Sequence, residues 1–134
     1  MPSFGDRSMR HFDTLDERLQ RVMARAIKDG PDFSIICGHR SNEDQEIAYK
    51  TGASKKRPGY SKHNRMPSIA VDILPYGGRD VWADHIRFGL LAGWVLRCAF
   101  EEDVPIRWGG DWRMNWRESY SSFFDGGHFE LMED

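Results

Sequence analysis

A chain of 134 residues with 40% hydrophobic and 30% charged residues is most simply one globular domain, large enough to bury a core. Its formal net charge of -2 gives no electrostatic basis for nucleic acid or an anionic membrane surface as a bulk partner. No segment approaches the ~18 consecutive apolar residues of a membrane span, and residues 1–15 lack the apolar run of a signal peptide. We therefore expect a protein made in the cytoplasm, without stable membrane association.

The first part of the chain predicts two helices around a buried strand. Residues 14–17, TLDE, match a capping box and open a helix with a regular apolar face, which a Gly-Pro pair at 30–31 ends. Residues 32–38, DFSIICG, are typical of a short buried strand. Ser41 caps a second helix, and Gly52 closes it.

The second part predicts a long loop, three short strands and the longest helix. Residues 52–68 form a polar loop of a length that is usually functional or disordered, and residues 69–74 form a buried strand. The long helix runs from residue 81 to about residue 100, and residues 105–109 and 126–132 are short strands. The expected buried side of the helix comprises Ile86, Leu90, Leu91, Trp94, Val95 and Cys98.

Helices and short strands do not alternate regularly along the chain. The sequence therefore predicts an α+β fold, a single domain over residues 1–134 with a small, mainly antiparallel sheet and flanking helices. Cys37 and Cys98 lie in separate apolar segments and are expected to be buried free thiols rather than a disulfide.

Two histidines each lie within ten residues of an aspartate in the sequence. In SKHNRMPSIAVDI, residues 61–73, His63 lies in the polar loop and Asp72 interrupts the buried strand. In DGGH, Asp125 precedes His128 by three residues, across two glycines that allow close backbone approach. Two histidines and an aspartate can hold zinc with a fourth position open to water, and the second aspartate can serve as general base. Composition and spacing alone favour an ordinary structural role over a metal site.

Several motifs carry a family resemblance. SKHNRMPSIAVDI resembles the Ser-x-His-loop-Ala-x-Asp signature of the LAS-type zinc peptidases, which include VanY-like D,D-carboxypeptidases and phage L-alanyl-D-glutamate endopeptidase endolysins. FFDGGHFEL, residues 123–131, is similar to the second motif of that family. ICGHRSNEDQEIAYKTGAS, residues 36–54, resembles the upstream element, and IRWGGDW at 106–112 is similar to phage members. The motifs occur in the family's order from about residue 12 to residue 131.

The resemblance implies a zinc ion (Zn²⁺) held by His63, Asp72 and His128, with Asp125 as the catalytic base. The sequence departs from the common pattern in one place. Eight residues, NRMPSIAV, separate His63 from Asp72, where the family pattern has a shorter spacing. The cost of closing a loop grows slowly with its length, so we expect the longer arc to reach the same metal.

The resemblance also implies residues that meet the substrate. Arg40 is expected to steady a carbonyl or carboxylate of the substrate, and Gln45 to support it by hydrogen bonding. Trp112 belongs to a cluster of three tryptophans at 108–116 that either lines a substrate groove or packs a loop. Glu130 is expected in a cross-strand pair, with support of the metal site as the alternative.

The implied function is hydrolysis of bacterial peptidoglycan stem peptides by a monomer, without a separate cell-wall-binding module. An L-alanyl-D-glutamate endopeptidase acting as a phage endolysin is favoured, reaching the wall once a holin opens the host membrane. A D,D-carboxypeptidase or dipeptidase of the same family is the nearest alternative. An HNH-like metal nuclease is disfavoured by the net charge, and a non-catalytic wall-binding module by the intact Asp125.

Overall fold

The computed structural model describes residues 2–117 and 123–132. Within these residues, four α-helices and four strands follow one another in the order α1 (Asp6–Phe12), α2 (Glu17–Asp29), β1 (Phe33–Cys37), α3 (Asn42–Lys50), β2 (Ala70–Pro75), α4 (His85–Glu101), β3 (Ile106–Trp108) and β4 (His128–Leu131). Single-turn 3₁₀ helices lie at Lys62–Asn64 and Val81–Ala83.

The strands form one sheet in the order β1-β2-β4-β3, and every neighbouring pair is antiparallel. The register places Asp72 opposite Cys37 on one side and His128 on the other. This architecture confirms the predicted α+β class with a small antiparallel sheet.

The core lies between the sheet and helices α2 and α4, and it draws side chains from all four strands. Because side chains alternate along a strand, Val71 and Ile73 of β2 and Phe129 of β4 face this core. Asp72 and His128 are adjacent to these residues along their strands and therefore face the opposite side of the sheet. The hydrophobic pattern of the strands thus sets the face on which polar residues collect.

The predicted helix boundaries hold closely for α2 and α3. Asp16, rather than Thr14, is the N-cap of α2, and its carboxylate accepts a hydrogen bond from the Arg18 amide at 2.9 Å. The helix ends at Asp29 with Gly30 as its C-cap, as predicted. Ser41 caps α3 by accepting a hydrogen bond from the Asp44 amide at 3.1 Å.

The prediction for the buried side of the long helix was wrong at two positions. Ile86 is 78% exposed and Leu90 is 71% exposed, whereas Leu91, Val95 and Cys98 are buried as expected. With 3.6 residues per turn, the buried stripe centred on Leu91 and Val95 turns Ile86 and Leu90 toward the opposite side of the helix. The helix also starts later than predicted, at His85, because Asp84 caps it.

Two adjacent leucines give a matched test of this packing. We expect Leu91→Ala to lower the free energy of unfolding by about 2–5 kcal/mol, because it leaves a cavity in the core. Leu90→Ala on the exposed side should change it by no more than about 0.5 kcal/mol. Urea unfolding followed by circular dichroism measures both, and equal losses in the two variants would show that the helix is rotated.

Cys37 and Cys98 are free thiols, as the sequence predicted, with Cys98 buried and Cys37 half-buried. None of the helices within residues 2–117 and 123–132 is long and apolar enough to cross a membrane.

Candidate metal centre

The three predicted ligands meet on the face of the sheet opposite the core. Oδ1 of Asp72 lies 3.1 Å from Nε2 of His63 and 2.9 Å from Nδ1 of His128. The two imidazole rings are 5.2 Å apart between centroids, and His63 and His128 are both buried. One carboxylate oxygen and two ring nitrogens therefore point at a single place.

Regular structure fixes two of these residues, and a capped turn fixes the third. Asp72 and His128 are paired across β2 and β4. His63 lies in the 3₁₀ turn that Ser61 caps by accepting a hydrogen bond from the His63 amide at 3.1 Å. The Arg40 amide donates to the His63 carbonyl at 2.8 Å, which ties this turn to the end of β1.

The longer arc between His63 and Asp72 closes on the site because its middle is anchored elsewhere. The Ser68 amide donates to the Thr14 carbonyl at 2.9 Å, and the Asp16 amide donates to the Ser68 carbonyl at 2.8 Å. These bonds hold the arc against the junction of α1 and α2. The arc is therefore fixed at Ser68 before the chain enters β2.

Each imidazole has an outer acceptor on the nitrogen that faces away from Asp72. Nδ1 of His63 lies 2.7 Å from the Gly38 carbonyl, and Nε2 of His128 lies 2.8 Å from Oε1 of Glu130. A carbonyl and a carboxylate both accept, so each outer nitrogen carries hydrogen and donates. This is the usual arrangement around metal-binding histidines, and the set of two imidazoles and one carboxylate suits zinc.

Protons on the two imidazoles can balance the charge of Asp72. Burial alone would raise the pKa of Asp72, but the His63 and His128 imidazoles hold it well below its usual range. Burial opposes charge on His63 as well, yet Asp72 raises its pKa to about 10. Burial likewise opposes charge on His128, whose hydrogen bonds to Asp72 and Glu130 raise its pKa to about 9. A metal ion would replace these protons, so its affinity should fall as the pH falls.

A second carboxylate, Asp125, lies beside the three. Asp72, Asp125 and His128 offer ligand atoms within 4.8 Å of one another. Burial, and next the negative charge of Asp72, raise the pKa of Asp125 to about 6. The backbone passes close to Gly109 here, since a Cβ at that glycine would clash with the Asp125 carbonyl oxygen. Asp125 is thus a half-buried carboxylate whose pKa is suited to accepting and returning a proton.

Arg40 reaches the site from the side of Asp72 opposite the imidazoles. Its guanidinium lies 3.3 Å from Oδ2 of Asp72 and donates to Oε1 of Gln45 at 2.9 Å. Gln45 is fully buried and donates to the Ser54 hydroxyl and the Lys56 carbonyl. Gln45 thus holds both Arg40 and the polar loop in place, and contact of either residue with a substrate stays a prediction.

The three tryptophans do not form one wall. Trp112 lies beside the site, with its ring 5.4 Å from the His128 ring and the Arg107 guanidinium 5.2 Å from its centroid. Trp108 packs against the core and donates to the Gly126 carbonyl, whereas Trp116 is 88% exposed. Of the cluster, Trp112 alone contacts a predicted ligand among the described residues.

Glu130 makes both of the contacts that its sequence position allows. It does pair with Arg107 across the strands, as expected, but its other carboxylate oxygen accepts from His128. Its position two residues after His128 on one strand was the signal, because residues i and i+2 share a face of the sheet.

The fold and these contacts define a candidate metal centre, a His–Asp–His donor set with a half-buried aspartate at its edge. Comparison with known proteins agrees with this class. The profile of the phage L-alanyl-D-glutamate peptidase family matches residues 2–132, and the chain belongs to that family.

Two relatives indicate how far the likeness extends. The peptidoglycan L-alanyl-D-glutamate endopeptidase CwlK of Bacillus subtilis is 30% identical over 102 residues, which cover 69% of this chain and 60% of CwlK. The matched segment is thus less than two thirds of that relative. The crystal structure of the Serratia marcescens L-Ala D-Glu endopeptidase ChiX superposes with a TM-score of 0.74 at 26% identity, covering 97% of this chain and 90% of ChiX.

Proposed function

We propose that the protein is a zinc-dependent peptidoglycan peptidase that cleaves the bond between L-alanine and D-glutamate in stem peptides. The observation that carries this proposal is the convergence of His63, Asp72 and His128 beside Asp125. Membership in the phage L-alanyl-D-glutamate peptidase family supports the choice of bond, as do the names of CwlK and ChiX.

The metal would be held by Nε2 of His63, Oδ1 of Asp72 and Nδ1 of His128. When bound, zinc supplies a Lewis acid that lowers the pKa of water and polarises a peptide carbonyl. The outer hydrogen bonds to the Gly38 carbonyl and Glu130 orient the two imidazoles. The guanidinium of Arg40 fixes the carboxylate of Asp72 on its remaining oxygen.

Asp125 is the proposed proton carrier. As a carboxylate it takes a proton from the attacking water, and as a carboxylic acid it gives the proton to the amine of the departing D-glutamate. Burial and the charge of Asp72 raise the pKa of Asp125 to about 6. A carboxyl group with this pKa can both accept and donate a proton near neutral pH.

Arg40 and Trp112 are the proposed contacts for the substrate. A guanidinium is well suited to the carbonyl or carboxylate groups of the stem peptide, and Gln45 holds Arg40 at the edge of the site. Trp112 lies next to His128 and would form one wall of the groove for the peptide.

The proposed setting is lysis of a bacterial host by a phage. The enzyme would be made in the host cytoplasm and reach the wall after a holin opens the membrane. It would act there as a monomer, with the catalytic groove binding the stem peptide. Membership in a family of phage peptidases supports this setting.

Digestion of purified peptidoglycan tests the activity and the bond together. We expect mass spectrometry to identify fragments with new amino-terminal glutamate. A chelator should stop the release of these fragments, and added zinc should restore it. Release of D-alanine in its place would make the protein a carboxypeptidase of the same family. If chelator-sensitive release of neither kind occurs, the proposed activity is wrong.

A further inference from the structure

Glu130 lies at a buried junction behind the candidate metal centre. It is only 6% exposed, yet it is a carboxylate in the middle of β4. Burial of a carboxylate is costly unless charged or hydrogen-bonding partners compensate it. Its partners therefore show what this residue does.

The two carboxylate oxygens of Glu130 have different partners. Oε2 lies 2.8 Å from a guanidinium nitrogen of Arg107 and 3.1 Å from the Lys62 ammonium. Oε1 lies 2.8 Å from Nε2 of His128. The two cations thus hold one oxygen and leave the other for the imidazole.

This contact keeps hydrogen on Nε2 of His128 when a metal ion replaces the hydrogen on Nδ1. A carboxylate oxygen can only accept, so Nε2 of His128 donates and its hydrogen stays on the side away from Asp72. The lone pair of a neutral His128 is then on Nδ1, the nitrogen 2.9 Å from Oδ1 of Asp72. His63 has the reverse arrangement, because its Nδ1 faces the Gly38 carbonyl and its Nε2 faces Asp72.

Lys62 connects the same carboxylate to the other histidine. It precedes His63 in the 3₁₀ turn, and its ammonium also donates to the Leu131 carbonyl at 2.6 Å. Lys62 and Glu130 therefore join the loop that carries His63 to the strand that carries His128. A cross-strand pair with Arg107 alone would not require either contact.

We propose that Glu130 is a positioning residue that directs Nδ1 of His128 toward the metal, while Lys62 and Arg107 hold its carboxylate in the required orientation. The inference rests on the proposed metal site and adds an outer residue on which metal affinity depends. It predicts that the two histidines use opposite ring nitrogens toward the metal.

Nuclear magnetic resonance of the zinc-loaded wild-type protein tests the nitrogen assignment without any variant. Long-range ¹⁵N–¹H correlations should show hydrogen on Nε2 of His128 and on Nδ1 of His63. Hydrogen on Nδ1 of His128 would overturn the inference while leaving a zinc enzyme possible. Failure of the wild-type protein to bind zinc would instead contradict the proposed metal site itself.

Glu130→Gln and Lys62→Met form a matched pair for the affinity. In Glu130→Gln, Lys62 and Arg107 attract the amide oxygen, so the amide nitrogen turns toward Nε2 of His128 and favours the wrong tautomer. We expect zinc affinity, measured by competition with a chelating dye, to fall about 10- to 100-fold. Lys62→Met leaves the carboxylate on His128 and should lower affinity by a much smaller factor.

Thermal unfolding separates this role from a merely structural one. A structural ion pair would lower the unfolding temperature in both variants, with zinc affinity unchanged in the folded protein. Equal zinc affinity in folded Glu130→Gln and wild type would therefore refute the positioning role. A tautomer shift in Glu130→Gln, absent from Lys62→Met, would support it.

Discussion

Asp125→Ala is expected to bind zinc as the wild-type protein does and to lose nearly all hydrolysis. Removal of a positioned general base and acid costs about 10²- to 10⁴-fold in rate. His63, Asp72 and His128 remain in place in this variant, so the metal content should stay at one zinc per chain. Elemental analysis of the purified variant, together with release of amino-terminal glutamate from peptidoglycan, measures both quantities.

Loss of zinc from Asp125→Ala would contradict the assignment of Asp125 as the base. Its ligand atoms lie close enough to Asp72 and His128 to belong to the same cluster, so a variant without zinc would make it a ligand.

The pH profile of hydrolysis gives a second check on Asp125. The base must be ionised, so activity should fall as the pH falls through the pKa of Asp125. The surrounding protein raises that pKa to about 6, and the charge of a bound zinc ion should lower it.

His63→Ala is expected to lose bound zinc and, with it, hydrolysis. Its Nε2 is one of three atoms that converge on the site, and an alanine leaves only Asp72 and His128. The loss of affinity should exceed the factor of about 10 to 100 that follows when only an outer partner of a ligand is removed. Equilibrium dialysis followed by zinc analysis measures the change.

His39→Ala provides the control for this substitution. His39 is half-buried and lies near the same loop, but its Nδ1 contacts the Arg65 carbonyl and not Asp72. Zinc content should therefore be unchanged in His39→Ala. The assignment of His63 as a ligand fails if both variants keep their zinc, or if both lose it equally.

The elements that bring the site together were predictable because each has a strong local signal. Asp72 interrupts an otherwise apolar strand, and His128 follows two glycines at the start of another. Alternation along β2 and β4 then requires Asp72 and His128 to share a face once Val71 and Phe129 face the core. The pairing of β2 with β4 is not visible in local pattern, since it depends on contacts more than fifty residues apart in the chain.

The features that the sequence did not reveal depend on tertiary contacts. Helix α1 has only seven residues, too short for a hydrophobic period to be evident, and it is stabilised by packing on β1. Ile86 and Leu90 are apolar and were placed in the core, although only the neighbours of α4 decide which side of the helix is covered. The bond from Arg40 to Asp72 likewise joins segments that are distant in sequence.

Anomalous diffraction at the zinc edge, from a crystal of the zinc-loaded protein, tests the proposed centre most directly. A single strong peak is expected at about 2.0–2.2 Å from Nε2 of His63, Oδ1 of Asp72 and Nδ1 of His128, with Asp125 outside bonding distance. A peak bonded to Asp125, or one elsewhere on the protein with these three residues still in mutual contact, would contradict the account.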